Sequence, residues 1–276
     1  MNRDKERVRF LSRATDRPPR RFSRGVSLLP SLFTMANLFC GYACVVYTMR
    51  GEYETAAPFV GFAIVLDMLD GRIARLTGTS TDFGLQFDSL ADVISFGIAP
   101  AILSFGWGLA PLGRLGWAAG FVFVTAAAMR LARFNIQSPG GGDKRYFAGM
   151  PSPAAAAIPA STVFFYPAGV SDYRAALPAL AMVLVPAVLM VSTIRFRSFK
   201  TIDLQMRRPY TVLLLIAGAI MLITTHPRFV LVALSYAYLA SAFIGMAVTR
   251  FRHRGGRAAS EPSVSPTPHA RDGIGL

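Results

Sequence analysis

The chain has 276 residues, 53% of them hydrophobic, with a formal net charge of +14. That composition is too apolar for an ordinary soluble domain, and the length allows several membrane spans. The basic residues lie between apolar runs rather than in one patch, which argues against nucleic acid as a partner and for membrane lipids with anionic headgroups.

Residues 1–27 form a polar, basic arm that includes the stretch RPPRRFSR, suited to lying on a membrane surface. Apolar runs follow near 28–49, 55–75, 85–106, 116–135, 151–168, 175–194, 209–226 and 229–250. Each is long enough to cross about 30 Å of hydrocarbon as a helix. The fold class expected is therefore all-α, a polytopic membrane bundle of eight transmembrane helices. The first run is too long for the apolar region of a signal peptide and no cleavage site follows it, so none is expected.

Cys40 and Cys44 lie four apart in the first run and do not form a CxxC. A disulfide across one helical turn has poor geometry, so both read as small buried residues. Gly116 and Gly120 make a GxxxG, a pairing pattern that would serve a homodimer. Pro151, Pro153 and Pro159 crowd the fifth run, where an interior proline kinks a helix. Residues 138–145 (SPGGGDKR) read as a flexible loop. The short HPR connection at 226–228 makes the last two spans antiparallel neighbours. Residues 251–276 read as a disordered tail, leaving 28–250 as the transmembrane domain.

With eight spans both termini share one side. Twenty-five of the 29 Lys and Arg then fall on that side, and only Arg50, Arg114, Arg174 and Arg228 on the other. The positive-inside rule makes the richer side cytoplasmic, which puts both termini and the aspartate-bearing segment 67–92 there.

Residues 67–92, DMLDGRIARLTGTSTDFGLQFDSLAD, carry the chemistry. Asp67 and Asp70 are spaced i, i+3, and Asp88 and Asp92 i, i+4, so each pair projects from one helix face. The Thr-, Ser- and Gly-rich stretch 76–83 is a turn that folds the pairs together. Four carboxylates gathered at one place need a cation among them, and hard oxygen ligands select Mg²⁺ or Mn²⁺. Helix capping or pairing with nearby arginines is the plainer alternative, but charges at membrane depth are costly and usually functional.

The spacing Asp67-x-x-Asp70-Gly71-x-x-Ala74-Arg75, then eight residues, then Gly84-x-x-x-Asp88-x-x-x-Asp92, resembles the full signature of the CDP-alcohol phosphotransferase family. The resemblance implies a six-helix core over most of 28–194. It implies Asp67, Asp70 and Asp88 as metal ligands, with Asp92 at a second metal position and as general base. It implies CDP-diacylglycerol as phosphatidyl donor, with Gly71, Ala74, Arg75 and Gly84 around the nucleotide. Helix packing is the alternative for the glycines, and snorkelling to the interface is the alternative for Arg75.

Three further stretches, 29–41 (LPSLFTMANLFCG), 121–136 (FVFVTAAAMRLARFNI) and 147–153 (FAGMPSP), resemble the bacterial integral-membrane phosphatidylserine synthases of that family. This implies L-serine as acceptor. Ser31 departs from the asparagine that many members carry after the proline. Thr34 and Asn37 on the first helix are candidates for contacts to cytidine or its phosphates, or for helix–helix hydrogen bonds. Arg130 and Arg133 near the end of the fourth run can hold the serine carboxylate or anchor the helix at the interface. Phosphatidylglycerophosphate synthase and phosphatidylcholine synthase are the alternatives within the family. A cation transporter is the rival of a different class, since intramembrane acids also line ion paths.

Overall fold

A computed structural model of the chain describes residues 28–77, 81–137, 146–192, 195–197, 217–218, 221–222 and 224–257. The arm 1–27, the loop 138–145 and residues 258–276 of the tail lie outside the described residues, as does most of the seventh expected span. The described part is helical except for one short ribbon.

Helix α1 (Leu28–Met49) ends in a reversal where the backbone N–H groups of Arg50, Gly51 and Glu52 return to the carbonyls of Val46, Tyr47 and Thr48. Gly51 takes φ +77° there, a conformation glycine adopts without a Cβ penalty. Helix α2 (Tyr53–Thr77) runs back along α1. The two meet through small buried side chains, including Cys40, Cys44, Ala56, Ala57, Val60 and Ala63, which let the backbones approach closely. Both cysteines are free and buried, as expected.

Thr81 starts helix α3 (Asp82–Asp92), its Oγ1 accepting the Gly84 N–H at 3.0 Å. The rod continues through a π-helical turn (Val93–Ile98), α4 (Ala99–Ser104), a second π-helical turn (Phe105–Leu109) and a 3₁₀ turn (Ala110–Leu112). The first π turn starts directly after Asp92, and such turns concentrate at functional sites.

Helix α5 (Arg114–Gln137) packs back on this rod. A Cβ on Gly116 would lie 2.1 Å from the Leu109 carbonyl oxygen, and one on Gly120 3.9 Å from that of Ala101. The GxxxG is thus used inside the chain, to seat α5 on the preceding helix, and gives no support to a homodimer.

Strand β1 (Tyr146–Ala148) pairs antiparallel with β2 (Arg195–Arg197). Gly149 follows at φ +88°, and a Cβ there would come 2.4 Å from the Met190 carbonyl oxygen. Met150 N–H donates to Leu189 O at 3.0 Å. The chain entering helix α6 (Ser152–Phe165) is therefore pinned to the end of helix α7 (Tyr173–Val191). Helix α6 is shorter than the expected 151–168. Its 14 residues rise about 21 Å. Pro167 explains the early end, because the residue before a proline is driven out of the helical region, and Tyr166 sits at φ −127°, ψ 80°. Helix α6 is instead buried along most of its length by its neighbours.

Helix α8 (Pro227–Arg257) starts on a proline and runs past the expected boundary at 250.

Four stretches, Ser31–Met49, Asp82–Leu112, Arg114–Ile136 and Tyr173–Val191, are long and apolar enough to cross a membrane. Leu32, Met35, Phe39 and Tyr42 form an exposed stripe on α1, an outward apolar face suited to lipid. Helix α2 has the length to span but carries Glu54, Asp67, Asp70 and Arg72.

Candidate active site

The end of α2 and the start of α3 bring Asp67, Asp70 and Asp88 together, with one oxygen of each within 4.8 Å of the others. Asp92, one helical turn beyond Asp88, is not one of the three. It is buried beside them, 8% exposed, and Asn37 Nδ2 of α1 donates to its Oδ1 at 3.2 Å. From the previous turn of α1, Thr34 Oγ1 donates to Asp70 Oδ2 at 3.4 Å. The Gly71 backbone N–H also reaches the Asp70 carboxylate.

Thr34 and Asn37 thus both donate across helices to the acid cluster. The brace is itself fixed from behind. Ser95, in the π turn after Asp92, donates its hydroxyl to the Asn37 carbonyl at 2.9 Å. Gly41, one turn along α1 from Asn37, leaves room for Ser95, since a Cβ there would lie 2.6 Å from Ser95 Oγ.

The donor set suits a divalent cation. Three carboxylates converge, and Asp88 Oδ1 is buried with no hydrogen-bond partner among the described residues. A buried orphan oxygen costs about 1–3 kcal/mol, and coordination to a hard ion removes that cost.

Arg130 of α5 lies near the cluster. Its guanidinium donates to Ser152 Oγ, at the first residue of α6, at 2.7 Å. It lies in Coulombic reach of Asp92, Asp67 and the Tyr238 phenol of α8. Arg133, three residues on, is half-buried and makes no hydrogen bond or ion pair among the described residues. Ala74 is half-buried. Gly84 serves the helix start directly, since a Cβ there would lie 3.1 Å from Thr81 Oγ1. Arg75 lies in the last turns of α2, and its side chain is outside what is described.

Residues with no assigned role in the sequence also complete the site. Asn135 Nδ2 donates to Ser89 Oγ at 2.9 Å, tying α5 to α3 next to Asp88. Ser95 and Ser152 join it. Ser152 lies in the GMPSP stretch, which carries one such signal. Serines in apolar helices otherwise give no sign of their partners.

A family profile described as CDP-alcohol phosphatidyltransferase matches residues 27–192. The CDP-diacylglycerol–serine O-phosphatidyltransferase of Helicobacter pylori is 39% identical over 180 residues, covering 63% of this chain and 74% of that protein. The archaetidylserine synthase of Methanothermobacter thermautotrophicus is 35% identical over 170 residues, covering 61% and 69%. The CDP-diacylglycerol–serine O-phosphatidyltransferase of Saccharomyces cerevisiae is 36% identical over 138 residues, covering 45% and 49%. The matched segment runs from α1 through α7 and holds all four aspartates, Asn37 and Arg130, so the chain belongs to the CDP-alcohol phosphatidyltransferase family.

Proposed function

We propose that the protein transfers the phosphatidyl group of CDP-diacylglycerol to L-serine, giving phosphatidylserine and CMP. The convergence of Asp67, Asp70 and Asp88 beside Asp92 and Arg130 carries this reading. Serine as the acceptor follows the similarity to relatives named for serine or archaetidylserine chemistry.

Asp67, Asp70 and Asp88 hold Mg²⁺ or Mn²⁺, with Asp92 as the further carboxylate open to a second ion. An ion held by these carboxylates would supply positive charge to offset the donor diphosphate and the charge developing on departing CMP. Asp92, tethered by Asn37, takes the proton from the serine hydroxyl. The serine oxygen forms a bond to the phosphorus bearing diacylglycerol. The bond from that phosphorus to the bridging oxygen breaks, and CMP leaves with the electron pair. Arg130 holds the serine carboxylate, a role for which a guanidinium offers paired donors. Arg133 is a second cation for the same carboxylate. Gly71, Ala74 and Gly84 leave space for the nucleotide along the backbone, and Arg75 contacts its phosphates. The acyl chains stay in the bilayer.

The finer architecture belongs to the same proposal. Residues 28–250 form eight spans around a six-helix core, with a basic arm at 1–27 and a tail from 251. Both termini and the acid cluster face the cytoplasm from the inner membrane. Labelling of single introduced cysteines at residues 5 and 265 by an impermeant maleimide in inverted but not right-side-out vesicles supports this orientation. The reverse pattern overturns it.

Purified full-length protein given CDP-diacylglycerol, serine and Mn²⁺ or Mg²⁺ should release CMP and form phosphatidylserine. Glycerol 3-phosphate, inositol and choline in parallel reactions test the acceptor. Faster turnover with any of them moves the protein to another branch of the family, and no CMP with any acceptor removes the enzyme reading.

A further inference from the structure

We infer that Ser152, the first residue of α6, is the positioning residue that aims the Arg130 guanidinium, and that its hydroxyl thereby makes the site select an acceptor bearing a carboxylate. Ser152 is fully buried, and its Oγ accepts from Arg130 Nη1 at 2.7 Å. The inference rests on Arg130 being the acceptor-carboxylate group proposed above.

The place of Ser152 is set by the chain just before it. Gly149, at φ +88°, comes so close to the end of α7 that a Cβ would lie 2.4 Å from Met190 O and 3.1 Å from Ser192 O. Met150 is fully buried and donates its backbone N–H to Leu189 O at 3.0 Å. Pro151, with its φ fixed by the ring, then leads into the helix. Ser152 thus follows directly on a backbone clasp to α7. Arg130 sits on a helix that is tied down as well. Further along α5, Asn135 Nδ2 donates to Ser89 Oγ of α3 at 2.9 Å. Both helices have other fastenings, so the Arg130–Ser152 bond governs where a long side chain points more than where the helices lie.

A guanidinium carries five N–H donors in a rigid fork on a flexible stem. Asp92 and Asp67 are within Coulombic reach and draw it toward the acid cluster. The first turn of α6 carries the positive end of the helix dipole and repels it. Without the Ser152 oxygen, both effects push the guanidinium toward the acids. An arginine collapsed on Asp92 would neutralise the proposed base and leave an acceptor carboxylate unmatched. With Nη1 anchored on Ser152, the remaining N–H groups stay free to pair with that carboxylate.

The test uses the purified full-length enzyme. Ser152→Ala removes the hydroxyl at little cost in shape. The KM for L-serine should rise about threefold to tenfold, with kcat and the KM for CDP-diacylglycerol within about twofold of wild type. The preference for L-serine over 2-aminoethanol, which lacks the carboxylate, should fall by a similar factor. Ser152→Cys, close in size and a weak acceptor, should shift the same KM in the same direction and stands in if the alanine variant does not fold. Ser161→Ala, further along α6, breaks the 2.8 Å bond from Ser235. It should lower Tm and leave the KM for L-serine alone. In an Arg130→Ala background, Ser152→Ala should add no further change to that KM. A wild-type KM in both Ser152 variants, an equal rise in Ser161→Ala, or an undiminished effect without Arg130 overturns the role of Ser152. If Arg130→Ala raises the KM for L-serine while the Ser152 variants do not, only this inference fails. If none of them alters that KM, the acceptor role of Arg130 fails and takes the inference with it.

Discussion

Asn37 and Asp92, 55 residues apart in sequence, are joined by a 3.2 Å hydrogen bond that crosses from α1 to α3. Asn37 is fully buried, and Ser95 anchors its backbone carbonyl from the turn just after Asp92. The α1 helix and the π turn therefore fix the direction of the carboxylate proposed as the base. Asn37→Ala removes the donor and leaves Asp92 free to turn. We expect kcat to fall about tenfold to a hundredfold with little change in donor affinity, and stability to fall by about 1–3 kcal/mol. Steady-state kinetics with a parallel melting curve decides it, and an unchanged kcat would remove Asn37 from the catalytic machinery.

The three converging carboxylates predict a shared dependence on metal. Asp67→Asn, Asp70→Asn and Asp88→Asn should each cut turnover by about a thousandfold or more, and each should weaken Mn²⁺ binding as read by electron paramagnetic resonance. Chelation by EDTA should abolish wild-type activity, and Mn²⁺ or Mg²⁺ should restore it. A variant that binds Mn²⁺ with wild-type affinity marks its residue as no ligand.

Much of this site is legible in the order of the amino acids alone. Asp67 and Asp70 must share a helix face, as must Asp88 and Asp92, and the Thr/Ser/Gly stretch between them must turn. Those are local rules, and the fold obeys them. Which acids meet is a matter of helix packing, and it resolves into three converging carboxylates with Asp92 set apart on Asn37. The partners of Thr34, Asn37 and Arg130 lie on other helices, where no periodicity in the chain points. Local patterning also missed the two π turns and the early end of α6. The early end of α6 follows from how Pro167 acts on the residue before it.

Asp92 differs from the other three acids by its place and its tether, and the difference predicts separable effects. Asp92→Asn is nearly isosteric and should spare binding of CDP-diacylglycerol and of the first Mn²⁺. Turnover should drop by about 10²–10⁴, the usual contribution of a positioned general base. Equilibrium binding of the donor and single-turnover CMP release separate the two quantities. Near-normal turnover in this variant would exclude Asp92 as the base.

Gly41 has no catalytic atom to offer, yet its lack of a side chain holds the site together. A Cβ there would lie 2.6 Å from Ser95 Oγ and 2.9 Å from Ser95 Cα. The hydroxyl can rotate away, but the Ser95 backbone cannot, so α1 and the π turn would have to separate. Gly41→Ala should therefore cost about 1–3 kcal/mol by overpacking, seen as a lower melting temperature. The same separation stretches the Asn37–Asp92 bond, so kcat should fall together with stability. Ser95→Ala serves as the comparison, because it removes a single hydrogen bond of about 1 kcal/mol and leaves the helix spacing intact. Its kcat should stay above that of Gly41→Ala. If the alanine at 41 melts and turns over like wild type, the close approach of α1 to the π turn is not what fixes Asp92.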